Sequence, residues 1–308
     1  MRPIVVKSFL QAISSTLDEP APGRREANID ALGDWKLGNL LHARDGVVVR
    51  DASPISAATS EPPRYVVKIL DSKVDDLARM ARFCREATAG RSVSSPHVVA
   101  VLAAHLRETP RYFVMPKLAG QSLAQLLKRR DRLSPASALC VARQTAAGLQ
   151  AIHAAGWTHA DVRPSNIIVS RTGHATLIDL EYAGSADDDS DPIARCIAGT
   201  VEYMAPEAAC SRHRVDGRSD FYSLGIVLFE MLTGKLPFQG TTPEETINAH
   251  LTQEPPHLRE LSSELPENVC ALVRTMLHKQ PLRRLQTAGE LIDTLARLEI
   301  EHMELRSA

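Results

Sequence analysis

Apolar residues in the first third of the chain come in short runs: WKLGNLL from Trp35, GVVVR from Gly46 and RYVVKIL from Arg64. Runs this short, rich in β-branched and aromatic residues, predict strands. Between the last two lies DASPISAATSEPP, 51–63, polar and proline-rich enough to predict an exposed loop. The charged stretch DDLARMARFCREATAG, 75–90, predicts a helix, and HVVAVLAAH and RYFVMPKL after it predict two paired strands. Beyond Gly120 the spacing changes. Ser134 and Pro135 start a helix in which Leu139, Ala142, Ala146, Leu149 and Ile152 recur every three or four residues. SDFYSLGIVLFEMLTG, 219–234, is apolar on all sides, as a central helix must be, with Gly234 and Pro237 to stop it. Thr287 and Glu290 form a capping box for a last helix, ELIDTLARLEIEHMEL. A small strand-rich unit is therefore expected ahead of a larger helical one.

Residues 1–34 are mixed and polar, with a Pro/Gly/Arg patch at 20–25, and predict an extension; 301–308 predict a tail. Lys7 and Gln11 interrupt the only apolar run near the start, so no signal peptide is expected. The longest apolar stretch, Leu224 to Leu232, contains Glu230 and falls short of the roughly 18 residues a membrane span needs. Lys and Arg total 36 against 37 Asp and Glu, a balance that gives no reason to expect nucleic acid or a membrane as partner. Five scattered cysteines without a CxxC pair carry no zinc or disulfide signature, and fit a reducing cytoplasm.

The chemistry concentrates in HADVRPSN, 159–166, and IDLE, 178–181, which place Asp161, Asn166 and Asp179 on neighbouring loops. One carboxylate to orient a hydroxyl, with an amide and a second carboxylate to hold Mg²⁺ on phosphates, is the kit phosphoryl transfer needs. With these motifs the chain resembles the eukaryotic-type (Hanks-type) Ser/Thr protein kinases, particularly the bacterial ones, over about residues 35–300. Lys68 in YVVKIL matches the third-strand lysine, and Glu86 in FCREA the helix-C glutamate that pairs with it. Asp161 matches the catalytic-loop aspartate, Asn166 the magnesium-binding asparagine and Asp179 the metal-binding aspartate. GTVEYMAPE at 199–207 matches the end of a Ser/Thr-type activation segment, and Arg284 the arginine that pairs with Glu207.

The resemblance implies an α+β, bilobal protein-kinase fold: a β-rich N-lobe with helix C over about 35–117, and a mainly helical C-lobe over about 118–300. It implies ATP and Mg²⁺ as cofactors and a protein Ser/Thr hydroxyl as acceptor. Asp161, Arg163 and Lys68 would be catalytic, and Asn166 and Asp179 would hold the metal. Lys68, Glu86, Gly46, Met115, Pro116 and Leu118 would bind the nucleotide, the last three through hinge backbone groups. Asp220 is implied to hold the catalytic loop, and His159 to pack in the core.

Several positions depart from the pattern. With Gly46 as the third glycine of the phosphate loop, Leu41 and Ala43 stand where the first two belong. Ala160 replaces the arginine that usually receives a phosphorylated activation loop, so no activation-loop phosphate is expected to be required. Arg163 stands for the usual lysine and keeps the charge. Glu181 replaces the glycine that follows the metal-binding aspartate, Asp179, in the family's Asp-Phe-Gly, with Leu180 in place of the phenylalanine, and puts a carboxylate near the phosphates. These departures keep two other readings in view: a pseudokinase acting as a nucleotide-binding or scaffold module, and a small-molecule phosphotransferase of the aminoglycoside-kinase type. The segment 199–225 argues against the latter, which lacks such a peptide-binding segment.

Overall fold

The computed structural model describes residues 30–58, 61–71, 76–185, 200–209 and 215–304. Its first part is an antiparallel sheet of β1 (Ala31–Leu32), β2 (Trp35–Arg44), β3 (Val47–Pro54), β4 (Tyr65–Leu70), β5 (Ala103–His105) and β6 (Arg111–Pro116). Their spatial order is β1-β2-β3-β4-β6-β5. Ala31 and Leu32 pair with Lys36 and Trp35, and Leu32 is buried, so the sheet begins ahead of Trp35. β2 and β3 meet at a two-residue turn, Asp45 and Gly46, both at positive φ (53° and 72°), the geometry whose twist matches the strands. The freedom of Gly46 is spent on that turn.

The two faces of the sheet have separate jobs. Ala52, Val67, Ile69 and Val114 point to one side, into a cluster with Leu32 and Leu37. The other side carries Leu70 and Phe113, packed on Phe83 and Ala87 of helix α1 (Leu77–Ser92). Asp76 caps α1 by accepting from the backbone of Ala78 and Arg79.

The remainder is helical: α2 (Leu123–Arg130), α3 (Pro135–Ala154), α4 (Pro206–Ala209), α5 (Gly217–Thr233), α6 (Pro243–Thr252), α7 (Leu258–Leu261), α8 (Glu267–Met276) and α9 (Ala288–Glu304). Short strands β7 (Gln121–Ser122), β8 (Trp157–Thr158), β9 (Ile167–Val169), β10 (Ala175–Leu177) and β11 (Gly184–Ser185) edge it beside the first lobe. α5 is the axis of this lobe: Tyr222, Leu224, Ile226, Val227, Leu228 and Phe229 are all without solvent exposure. A helix buried all round must have its ends satisfied. Asp216 accepts from Arg218 N at its start, and Gly234 in the left-handed region (φ 73°) returns its N–H to Glu230 O. A side chain at 234 would meet the Asp131 carbonyl at 2.9 Å, so the stop also needs the missing Cβ. No helix among the described residues is long and apolar enough to cross a membrane.

Three expectations are corrected. β3 runs on through Pro54, so Asp51 and Ala52, expected in an exposed loop, are buried strand residues. HVVAVLAAH yields only the three-residue β5; ahead of it Val98 makes an isolated bridge to Leu177 of the second lobe. In the last helix's capping box, Glu290 N does donate to Thr287 Oγ1, but the Glu290 carboxylate reaches back to Gln286 N instead of to the cap residue. The result is a bilobal α+β fold, a sheet with one large helix on a helical lobe.

Candidate active site

Lys68 lies in β4, and Glu86 lies two turns before the end of α1, on the face packed under that strand. Lys68 Nζ is 2.6 Å from Glu86 Oε2 and 3.3 Å from Asp179 Oδ1, with its side chain 12% exposed. Burial works against the ammonium, but the Asp179 and Glu86 carboxylates outweigh it and hold the lysine well above its usual range. Asp179, its side chain 31% exposed, is held below the carboxylate range by the same ammonium, against the desolvation that would raise it. One cation thus ties a strand, a helix and the loop after β10.

Asp161 and Asn166 sit on the loop between β8 and β9. Asn166 Nδ2 donates to Asp161 Oδ2 (2.8 Å) and to its carbonyl (2.9 Å), while Ile178 N donates to Asn166 O at 2.9 Å, bringing the 178–181 loop alongside. Thr200 donates to Asp161 Oδ1 from its backbone N (3.1 Å) and its hydroxyl (3.3 Å), and Arg163 donates to the Thr200 hydroxyl. Burial raises the Asp161 carboxyl above its ordinary value, with Arg163 and His159 pulling the other way. Thr200 stands in GTVEYMAPE, the segment that carries the acceptor class, and its contact with Asp161 is not readable from the sequence.

The loop is held from below. Asp220, 1% exposed in α5, accepts from His159 N and Ala160 N at 2.9 Å each, and from His153 at 2.7 Å. Its burial would raise the carboxyl; His153 and the loop amides keep it low. The N-cap of α5 is Asp216, so Asp220 is free for this brace. Ala160 and Asp179 both stand at positive φ (61° and 68°), where a side chain costs about 1 kcal/mol. His159 is fully buried with Nε2 unpaired among the described residues. Arg284 and Glu207 form the expected pair, bidentate at 2.6 and 2.7 Å and almost unexposed.

The nucleotide side is less ordered by side chains. Met115 and Pro116 face Val66 and Tyr65 across the β4–β6 ladder, Lys117 N extends that ladder to Arg64 O, and Leu118 follows it. Leu41 and Ala43 are strand residues of β2; Leu41 is 48% exposed, and Gly46 sits at the turn beyond them. Arg44 is solvent-facing and pairs with Asp45. Glu181 is partly buried, and desolvation together with Asp179 pushes its carboxyl up to about 7.

For a divalent ion, the Asn166 amide oxygen and the Asp179 carboxylate are hard oxygen donors of the kind Mg²⁺ takes. No cluster of three or more His, Cys, Asp or Glu with metal-holding geometry occurs among the described residues. Mg²⁺ at phosphoryl-transfer sites is usually held by one or two protein ligands together with phosphates and waters.

Known protein kinases resemble this chain over most of its length. The model for the protein kinase domain matches residues 55–294. The serine/threonine-protein kinase PknE of Mycobacterium bovis is 36% identical over 260 residues, covering 84% of this chain and 44% of that protein. PknA of Mycobacterium tuberculosis is 34% identical over 239 residues (76% and 54%). A probable serine/threonine-protein kinase of Clostridium perfringens is 32% identical over 238 residues (77% and 35%). The chain thus spans from about a third to about half the length of these relatives. By the extent of the domain match and by these relatives, the chain belongs to the protein kinase family, on its bacterial Ser/Thr side.

Proposed function

We propose that this chain is a Ser/Thr protein kinase that transfers the γ-phosphoryl group of MgATP to a protein hydroxyl. The observation that carries this reading is the position of Lys68, in ion-pair contact with Glu86 and Asp179 at once. An ammonium so placed is ready for the α- and β-phosphates without rearrangement. Asp161 orients the acceptor hydroxyl and takes its proton as the oxygen attacks the γ-phosphorus and ADP leaves. Arg163 puts positive charge on the transferring group, and Thr200 holds Asp161 and Arg163 in register. Asn166 and Asp179 would hold Mg²⁺, which when bound neutralises phosphate charge. Met115, Pro116 and Leu118 would border the base through their backbone, and Gly46 would cover the phosphates from the β2–β3 turn. A cytoplasmic location, where MgATP is abundant, goes with this reading.

The test is phosphate transfer from labelled MgATP by the purified chain, with Asp161→Asn and Asp179→Ala alongside. Asp161→Asn should slow transfer roughly 100-fold or more while still binding nucleotide. Asp179→Ala should lose magnesium-linked nucleotide affinity. Equal incorporation by wild type and Asp161→Asn would overturn the assignment and leave a nucleotide-binding scaffold.

A further inference from the structure

Asp51 is a carboxylate where the sheet offers no obvious reason for one. It is 4% exposed, in the middle of β3. Register fixes the direction of its side chain. Asp51 lies opposite Val66, Val66 lies opposite Met115, and the next row is Val49, Lys68 and Phe113. Directly paired residues share a face, and residues two apart on a strand share it too. Asp51 therefore points to the side of the sheet that carries Lys68, in the row next to the hinge. Lys117, two residues after Met115, reaches back beneath β4 from the hinge, and its Nζ stands 2.8 Å from Asp51 Oδ1. The oxygen receives no aligned hydrogen bond, so the contact is a close ion pair. The Asp51 side chain is 5% exposed and that of Lys117 40%.

We infer that the Asp51–Lys117 ion pair is a latch fixing the hinge to the roof of the cleft, making both residues positioning residues for the nucleotide base. It rests on the reading of this cleft as an MgATP site. The physical reason is asymmetry of cost. A buried carboxylate with one cationic partner among the described residues strongly disfavours any hinge position that takes the ammonium away. The backbone of 116–118 is thereby held at one distance from Val66, and a planar base between them meets a slot of set height. Neither residue touches the transferring phosphate, so the latch acts on nucleotide affinity and leaves the chemical step alone.

The experiment combines steady-state kinetics with amide hydrogen exchange of the nucleotide-free chain. Lys117→Met and Asp51→Asn should each raise KM for ATP about tenfold, with kcat and KM for the peptide within twofold of wild type. Lys117→Arg should keep the wild-type KM. The double variant Asp51→Leu, Lys117→Leu removes both charges and guards against misfolding by a lone buried carboxylate; it should resemble the singles without adding to them. In the exchange experiment, amides 117–118 should exchange faster in Lys117→Met and not in Lys117→Arg. An unchanged KM for ATP in both singles, or an equal rise in KM for ATP and peptide, overturns the latch. If the wild-type chain proves unable to use ATP, the kinase reading fails by itself, and exchange at 117–118 decides the latch: unchanged rates in Lys117→Met overturn it.

Discussion

At the scale of single residues, the departures from the kinase pattern have unequal physical weight. Ala160 keeps its loop conformation because Asp220 grips its backbone N–H, so the lost arginine side chain costs the loop nothing in shape. The expectation that no activation-loop phosphate is needed involves Ser185, Ser190 and Thr200; Ser190 and the side chain of Ser185 lie outside the described residues, while Thr200 is engaged with Asp161. Glu181 carries more weight: it adds a partly buried carboxyl beside Asp179, where the proposed triphosphate would bring further negative charge. Charges a few ångström apart near a protein surface interact by about 1–4 kcal/mol. Glu181→Gln should accordingly tighten MgATP binding at least severalfold in calorimetry at neutral or higher pH. Weaker binding in that variant would mean that the carboxylate helps to hold the ion.

At the scale of elements, most boundaries were legible because each had a chemical mark: Ser134–Pro135 ahead of α3, Gly234 after α5, Thr287 ahead of α9. What escaped was decided by packing between distant segments. Asp51 and Ala52 have the composition of a loop, yet β4 on one side and the Leu32 cluster on the other hold them as strand. The contact of Thr200 with Asp161 joins positions 39 residues apart and leaves no periodic trace in the sequence. The ordered motifs left a clearer trace in the sequence: Lys68 within β4 and Glu86 within α1 sit on elements whose patterns are readable, and Asp161, Asn166 and Asp179 sit on the short loops beside β8, β9 and β10. Arg284 belongs here as well, for it clamps α4 through Glu207 and also donates to the carbonyls of Arg218, His278 and Lys279. Arg284→Ala should lower unfolding free energy by about 3–5 kcal/mol in denaturant titration, because it strands the Glu207 carboxylate in the interior. Loss of under 1 kcal/mol would show that water reaches that carboxylate.

At the scale of the whole molecule, stability should depend on pH through a group remote from the cleft. His250 packs on Phe238 and Tyr222, takes part in a hydrogen bond to the Tyr222 hydroxyl at 2.9 Å, and is held down to about 4 by burial and by Lys279. A histidine whose folded value lies below its unfolded one binds more protons when unfolded. Its contribution is therefore complete above about pH 6.5 and is lost as pH falls towards 4, by roughly 3 kcal/mol in total. Carboxyl groups titrate in the same window, so the measurement is the difference between wild type and His250→Gln. That gap should narrow as pH drops from 7 to 4.5, and a constant gap would count against the buried neutral imidazole.

The grip of Asp220 on the amides of His159 and Ala160 reaches beyond catalysis. Because its carboxylate grows from the innermost helix, those two amides are protected by the same packing that protects the interior, and they should be released only when the larger lobe melts as a whole. Warmed gradually, the protein should keep its reactive loop in shape up to the melting transition and then lose it together with the interior, with no range of temperature in which a folded body carries a slack loop.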